Sequence, residues 1–558
     1  MIKSLLQGVG FCFFFALLSQ SHAAPKIPQD LREKSLVYCT SVSGFTFNPQ
    51  KADVGTNMNV VTEQIYDKLF EIDPATNQLQ PALAERYQIS EDGLTITLFL
   101  RQNVQFHTTP WFSPTRPFNG EDVVFSLNRI IGNVAELPML DLGENQSNSF
   151  RQNQRYTYQY KANLAHYPYF ESVAIKNKIA KISAPTPYQV EIRLTSPDSS
   201  VLAHLASQYA VMLSKEYALQ LNADENLVQL DMLPVGTGVY QLHSYVQNDY
   251  VRLEPNPRYW GKPANIQNMV VDMTSNGTGR MAKLLNGECD VVAFPEPSQL
   301  VKLQGVNILE KQGADLAFLA FNQKRPQIQD LALRKKIAQS INRERINQNL
   351  FYGLAEVADN VLPTALFEAK NPNSYPYLPN ESENFEKSTR LQLWVVDEKR
   401  VYNLHPLKMA EMIRADLEKV GIETDILPVS RAYLAQRIEQ GTDDYDLILT
   451  GWLANNLDPT AFLSPILSCA AQKTVTNLAN WCNEEFDYWL ETARLSENPQ
   501  AKQLLYQLAQ NLLEEQLPIL PLVNGNRLLV TQKRVENATI SPFGQVRLSE
   551  LKLNMRGN

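Results

Sequence analysis

The sequence predicts α/β domains, and three observations carry that expectation. Strand and helix signals alternate along most of the chain. Several strand signals are compact apolar runs, such as AFLAF at 317–321 and YDLILT at 445–450. Neither an internal repeat nor a low-complexity linker interrupts the 558 residues, a length sufficient for two or three domains with sizeable cores.

The elements follow in order. Residues 36–39 read as a first strand and residues 60–69 as a helix. LTITLFL at 94–100 alternates as a strand should, after an Asp92-Gly93 turn. Gly120-Glu121-Asp122 opens an amphipathic helix running to Ile130, its acids suited to the positive helix N-terminus. AFLAF is a strand, 331–350 a helix, 391–396 a strand and 407–420 a helix. YDLILT is a buried strand that runs straight into the polar segment GWLANNLDP, and a further helix covers 499–516. In α/β domains ligands gather at strand ends, which draws attention to GWLANNLDP.

The N-terminus has the form of an export signal. Lys3 gives a short positive region, residues 5–18 are almost wholly apolar, and Ser21-His22-Ala23 places small residues where a signal peptidase reads. The apolar run is shorter than the roughly 20 residues a bilayer span needs. Bulky Phe11 before Cys12 argues against lipoprotein processing. The expectation is an exported, soluble protein cleaved near Ala23. Loss of Lys3 with the leader takes the net charge from −8 to −9, which argues against nucleic-acid binding by the whole surface.

Four cysteines then remain: Cys39, Cys289, Cys469 and Cys482, which allow three pairings. The last two lie close in sequence and form a local pair, leaving Cys39 and Cys289 for a long-range bridge. An oxidising compartment favours disulfides. Metal binding is the rival reading, but the chain has no CxxC and no His pair at ligand spacing, so neither a metal nor a cofactor is expected.

Catalytic signatures are missing. The sequence contains no G-x-S-x-G, no H-E-x-x-H and no Walker-type phosphate loop. Gly236-Thr237-Gly238 and Gly277-Thr278-Gly279 read as short turns, too weak to indicate a nucleotide site. The histidines at 107, 166, 204, 243 and 405 are scattered singly, each read as a surface or satisfied core residue. An exported chain of this length without a nucleophile beside a base points to binding rather than to an enzyme. A secreted hydrolase and a clamp or scaffold that binds polyanions remain as alternatives from other classes.

Several motifs resemble one family. Residues 83–130, PVGTGVYQL (234–242), AFLAFNQ (317–323), LRKKIAQSINRERI (333–346) and DYDLILTGW (444–452) are similar to the large peptide-binding periplasmic receptors, solute-binding proteins of family 5. The likeness covers essentially the whole mature chain. Residues 270–295 and LPILPLVN (517–524) most resemble the Sap-type branch. Those receptors serve an ABC importer linked to resistance against antimicrobial peptides, with peptides and haem proposed as cargo.

The resemblance implies a two-lobed class II clamp, enlarged by an extra subdomain and closing on a ligand by hinge motion. Lobe I would take residues 25–315 and 526–558, with the subdomain at about 53–184, and lobe II residues 316–525. Both cysteine pairings agree with the dipeptide-binding relatives. It further implies a peptide ligand, a membrane permease as partner, periplasmic residence and a monomer.

Site residues follow from the same resemblance. Arg400 of RVYN falls on the position that binds a ligand carboxylate, with Tyr402 beside it. In GWLANNLDP the ammonium-binding acid of the dipeptide binders is replaced by Asn455, next to Asn456. A neutral amide accepts from an ammonium without neutralising it, at a loss of roughly 1–3 kcal/mol. Asp458 could substitute, or could simply fix the Asp-Pro turn. Trp452 is either a cleft wall or a core residue, and Arg400 either a ligand contact or a salt-bridged surface residue. ADVGT (52–56), with Asp53 and Gly55, matches a loop that lends backbone groups to the ligand, Gly55 permitting close approach; an ordinary turn is the alternative.

Two further stretches stand out. TTPWFSPTRPF (108–118) reads as a rim decoration. Residues 151–181 mix Arg151, Arg155, Lys161, Lys176, Lys178 and Lys181 with five tyrosines, a composition that can bind polyanions but more often forms a solvated loop.

Overall fold

The structure is a computed structural model, and it describes residues 34–41, 46–52, 60–73, 78–132, 166–198, 200–224, 226–368, 374–378, 389–454, 456–496 and 498–554. The expected leader, residues 1–23, lies outside the described residues.

Asp315–Phe321 is buried along its whole length. Alternate side chains feed two separate cores: Ala317, Leu319 and Phe321 pack on one face, Leu316, Phe318 and Ala320 on the other. An apolar run without alternation is what a strand covered on both faces requires. It is the third strand of a six-stranded sheet whose order is Ala355–Val357, Ile519–Gly525, Asp315–Phe321, Leu447–Leu453, Thr389–Val396, Ile422–Val429. Thr389–Val396 runs parallel to both of its neighbours, so residues 397–403 and 454–458 leave the sheet at the same edge. Helices Pro406–Glu418 and Pro499–Gln516 form close to where the sequence places them, each with proline in its first turn. The single helix expected over 331–350 is broken. Leu331–Ser340 stops at Ile341, and Asn342 caps a new turn, its side chain accepting from the Arg345 amide at 2.7 Å and its own amide donating to Asp416 at 3.0 Å.

The second large sheet has seven strands, ordered Val306–Lys311, Arg527–Gln532, Val291–Ala293, Ser35–Thr40, Asn268–Met273, Tyr250–Pro255, Tyr240–Val246. Ser35–Thr40 lies at its centre, parallel to Asn268–Met273 and Val291–Ala293. Cys39 is bonded to Cys289 with Cα atoms 6.0 Å apart, and Cys469 to Cys482 at 4.4 Å.

A smaller antiparallel sheet, Ala84–Ile89, Thr95–Leu100, Gln189–Leu194 and Ile179–Thr186, carries helix Gly120–Ile130. The helix opens on a capping box formed by Asn119 and Asp122. Residues 108–118 are only in part a surface decoration: Thr108, Pro110, Ser113 and Thr115 are exposed, but the stretch is anchored inward. Phe112 and Phe118 are buried, and Arg116 forks onto Asp122 at 2.7 and 2.9 Å.

The helix expected over 60–69 shrinks to Thr62–Ile65, because the backbone beyond it is used elsewhere. Ile65 O accepts from the Gly238 amide at 2.9 Å and Asp67 O from Met212 at 3.0 Å. A Cβ on Gly236 or Gly238 would collide with this backbone, so the first Gly-Thr-Gly serves close packing. The second is not a turn: it begins helix Gly277–Leu285, capped by Asn276.

Among the described residues the chain crosses between the two large sheets over Gln312–Ala314 and at Asn526, and one buried residue holds these crossings together. Asp315 Oδ1 accepts from the Gly525 amide at 2.7 Å, and its Oδ2 lies 3.3 Å from Arg527 Nη2 across the boundary. Burial pushes the Asp315 carboxyl up to about 6, with Arg527 opposing. A Cβ on Gly313 would strike the Gly525 carbonyl, so the crossings touch backbone to backbone.

Candidate functional site in the cleft between the lobes

At the carboxyl edge of Thr389–Val396 the chain makes a tight turn. Arg400 N–H donates to Asn403 O at 3.0 Å, and Asn403 N–H to Arg400 O at 2.9 Å. This turn presents a charged cluster. Glu398 Oε2 accepts from Arg400 Nη2 at 2.9 Å and from Arg431 Nε at 3.0 Å, and Arg431 Nη2 donates to the Tyr402 hydroxyl at 3.0 Å. Burial works to raise the Glu398 carboxyl, but the Arg400 hydrogen bond and the two guanidinium charges hold it below the usual carboxylate range. Two cations against one carboxylate leave the cluster net positive, and all three side chains retain solvent access. His405 Nε2, just beyond the turn, lies 4.0 Å from Glu296 of the seven-stranded half, so this edge faces the other lobe. Tyr402 is buried, and a Cβ on Gly451 would collide with its ring, which accounts for the glycine before Trp452.

The neighbouring edge carries residues 454–458. Asn455, Asp53 and Gly55 lie outside the described residues. Asn456 is buried and reaches across the seam. Its Oδ1 accepts from the Asp458 amide at 2.9 Å, which fixes the amide orientation, and its Nδ2 faces His204 Nδ1 at 3.0 Å and Tyr169 OH at 3.3 Å. Asp458 caps helix Pro459–Leu467, its Oδ1 accepting from the Thr460 amide at 2.9 Å. Trp452 is half-buried against the core containing Phe462 and Trp481.

A second contact ties the same seam. Asp198 Oδ2 accepts from Lys178 Nζ at 2.7 Å and meets Arg494 Nη1, from the six-stranded half, at 2.5 Å; its Oδ1 takes the Ser200 amide and hydroxyl. Burial alone would raise Asp198, yet Lys178 and Arg494 outweigh it and hold the carboxyl far below its ordinary value. Burial drives His204 the other way, down to about 3, with Lys178 adding to the effect and Asp198 opposing it. Of the basic, tyrosine-rich stretch, residues 151–165 lie outside the described residues. Tyr167 and Tyr169 are buried, Lys178 is turned inward, and Lys176 and Lys181 are exposed.

Sequence reasoning brought Arg400, Tyr402, Asn456 and Asp458 to one sheet edge but missed Glu398, Arg431, His204 and Arg494. None of the four carries a local motif. Each has a partner 29 or more positions away.

Two α/β lobes joined by paired crossings, with a charged cluster at a strand edge facing the seam, define a two-lobed periplasmic-binding clamp. The profile of the bacterial extracellular solute-binding proteins, family 5, matches residues 78–474, and the chain belongs to this family. It is 44% identical over 563 aligned residues, 99% of each chain, to the Peptide transport periplasmic protein SapA of Haemophilus influenzae. Heme-binding protein A of the same organism is 29% identical over 558 residues, 97% of each chain. The crystal structure of a dipeptide binding protein from Pseudoalteromonas sp. SM9913 in complex with Met-Leu superposes with a TM-score of 0.76. That structure is 34% identical and covers 93% of this chain and all of its own. Among the described residues, no helix is long and apolar enough to cross a membrane.

Proposed function

We propose that this protein is a non-enzymatic periplasmic receptor of an ABC importer. It takes a peptide between its lobes and presents the closed clamp to a membrane permease. The leader would be removed near Ala23 on export. In this reading lobe I comprises residues 25–315 and 526–558, with the subdomain at about 53–184, and lobe II residues 316–525. The lobes close by bending at the paired crossings around Asp315.

The observation that carries the reading is the Arg400–Glu398–Arg431 cluster. A ligand carboxylate arriving there can compete with Glu398 for two guanidinium groups, Arg400 carried by the 400–403 turn and Arg431 held by Glu398 and the Tyr402 hydroxyl. Charge-assisted hydrogen bonds of this kind strengthen as the closing cleft excludes water. Tyr402, locked beneath by Gly451, fixes the Arg431 head. The names of the SapA relative and of the Met-Leu complex support peptide as the ligand class. Haem is the second cargo considered, on the strength of the haem-binding relative.

Native mass spectrometry of protein taken from the periplasm reads the cargo directly, and a Soret band would report haem. With a peptide identified, Arg400→Ala should weaken its binding about 10- to 150-fold, equivalent to roughly 1.5–3 kcal/mol, with folding intact. Unchanged affinity would remove Arg400 from the site.

A further inference from the structure

The same seam holds an open cavity of about 330 Å³, walled on one side by helix Pro459–Leu467 and the loop before Cys482, and on the other by Lys178, Ser200 and His204. We propose that this cavity is an accessory binding site for a small organic cation that carries an oxygen acceptor, such as an amino-acid amide. It is separate from the Arg400 cleft.

The cavity's charge favours a cation. Glu171, Asp458 and Glu491 line it against Lys178 and Arg494; buried Asp198 pairs with both cations and Glu491 with Arg494, so four carboxylates stand against two cations. Asp458 spends Oδ1 on the Thr460 amide and the Tyr506 hydroxyl, while its Oδ2 has no hydrogen-bond partner among the described residues. The acceptor requirement comes from His204, which is 1% exposed. Asn456 Oδ1 is fixed by the Asp458 amide, so its Nδ2 must donate to His204 Nδ1, and the proton of the neutral ring then sits on Nε2. Among the described residues that Nε2–H has no partner, and the side chain lines the cavity. A ligand oxygen or a water in the cavity can therefore accept from it. The remaining walls, among them Ala461, Ser464 and Ala471, are small and leave room for an extended side group. Because the walls come from both halves of the molecule, a ligand here would bridge them and favour the closed clamp.

L-argininamide is the probe, with agmatine, which lacks the carbonyl, as its comparison. Isothermal titration should show one site for argininamide and binding about tenfold weaker for agmatine. Asp458→Asn, which keeps the capping oxygen, should weaken argininamide at least tenfold, and Ser464→Leu should fill the cavity and abolish binding. Circular dichroism checks that the variants fold; if Ser464→Leu does not, Asp458→Asn decides alone. Argininamide binding should survive Arg400→Ala, which separates this site from the cleft. No binding to the wild type, loss in Arg400→Ala, or indifference to both pocket substitutions would overturn the assignment. Equal affinity for agmatine would remove His204 from it.

Discussion

His204 makes stability depend on pH, and the size of the effect follows from its surroundings. The ring is buried, accepts hydrogen bonds at Nδ1, and faces Lys178 and Arg494, with Asp198 the nearest opposing charge. Its pKa is therefore held at about 3, against an ordinary value near 6.5. The unfolded chain takes up a proton near pH 6.5 that the folded chain refuses until about pH 3. The stability contributed by this site is present above pH 6.5 and is lost as pH falls. At pH 5 the loss amounts to about 2 kcal/mol relative to pH 7. His204→Gln, which cannot be protonated, should lose about 2 kcal/mol less between those two pH values than the wild type. Urea unfolding at pH 7 and pH 5, on wild type and variant, supplies the four free energies needed. Parallel losses in the two proteins would show that His204 is not held neutral, and the described seam would be wrong there. Asp315 shifts in the opposite sense, being easier to protonate when folded, but it is common to both proteins and cancels from the difference.

Arg494→Ala removes one partner of buried Asp198 while Lys178 remains, so closure should weaken without loss of fold. Small-angle scattering with ligand should show a larger population of open clamp, and a wild-type profile would count against the seam. Asn455→Asp should tighten free-amine dipeptides by roughly 1–3 kcal/mol if the missing charge is what excludes them; titration with and without N-acetylation reads this directly. Cys469→Ser with Cys482→Ser opens a loop closed over a sequence separation of 13 and should cost about 2–4 kcal/mol in denaturant unfolding. A negligible change would mean that the loop is already ordered by its other bonds.

The sequence exposed those parts of the fold whose signals are local. Gly120–Ile130 and Pro499–Gln516 announce themselves by a capping residue and a first-turn acid or proline. Asp315–Phe321 does so by an apolar run. The errors arose where tertiary partners overrode periodicity. Residues 67–68 give up a helix to pair with 211–212, and Ile341 ends one because Asn342 is drawn to Asp416. Within the site, Arg400 and Asn456 were legible because they sit in motifs. His204 was not, since its meaning depends on Asn456, 252 positions away. Arg431 and Glu398 escaped for a similar reason: a charged residue at a helix start or in a turn looks like ordinary solvated surface until its neighbours are known.

The Cys39–Cys289 bond has a consequence for how the molecule withstands attack. It closes a covalent ring over a sequence separation of 250, and that ring contains the whole four-stranded sheet. A protease that cuts once anywhere between residues 40 and 288 therefore frees no fragment. The two pieces stay linked through a buried bond and can remain docked in the same core. A nicked receptor would run as one chain on a non-reducing gel and as two after reduction. In a compartment populated by proteases, a single break in this half of the sequence need not end the working life of the protein.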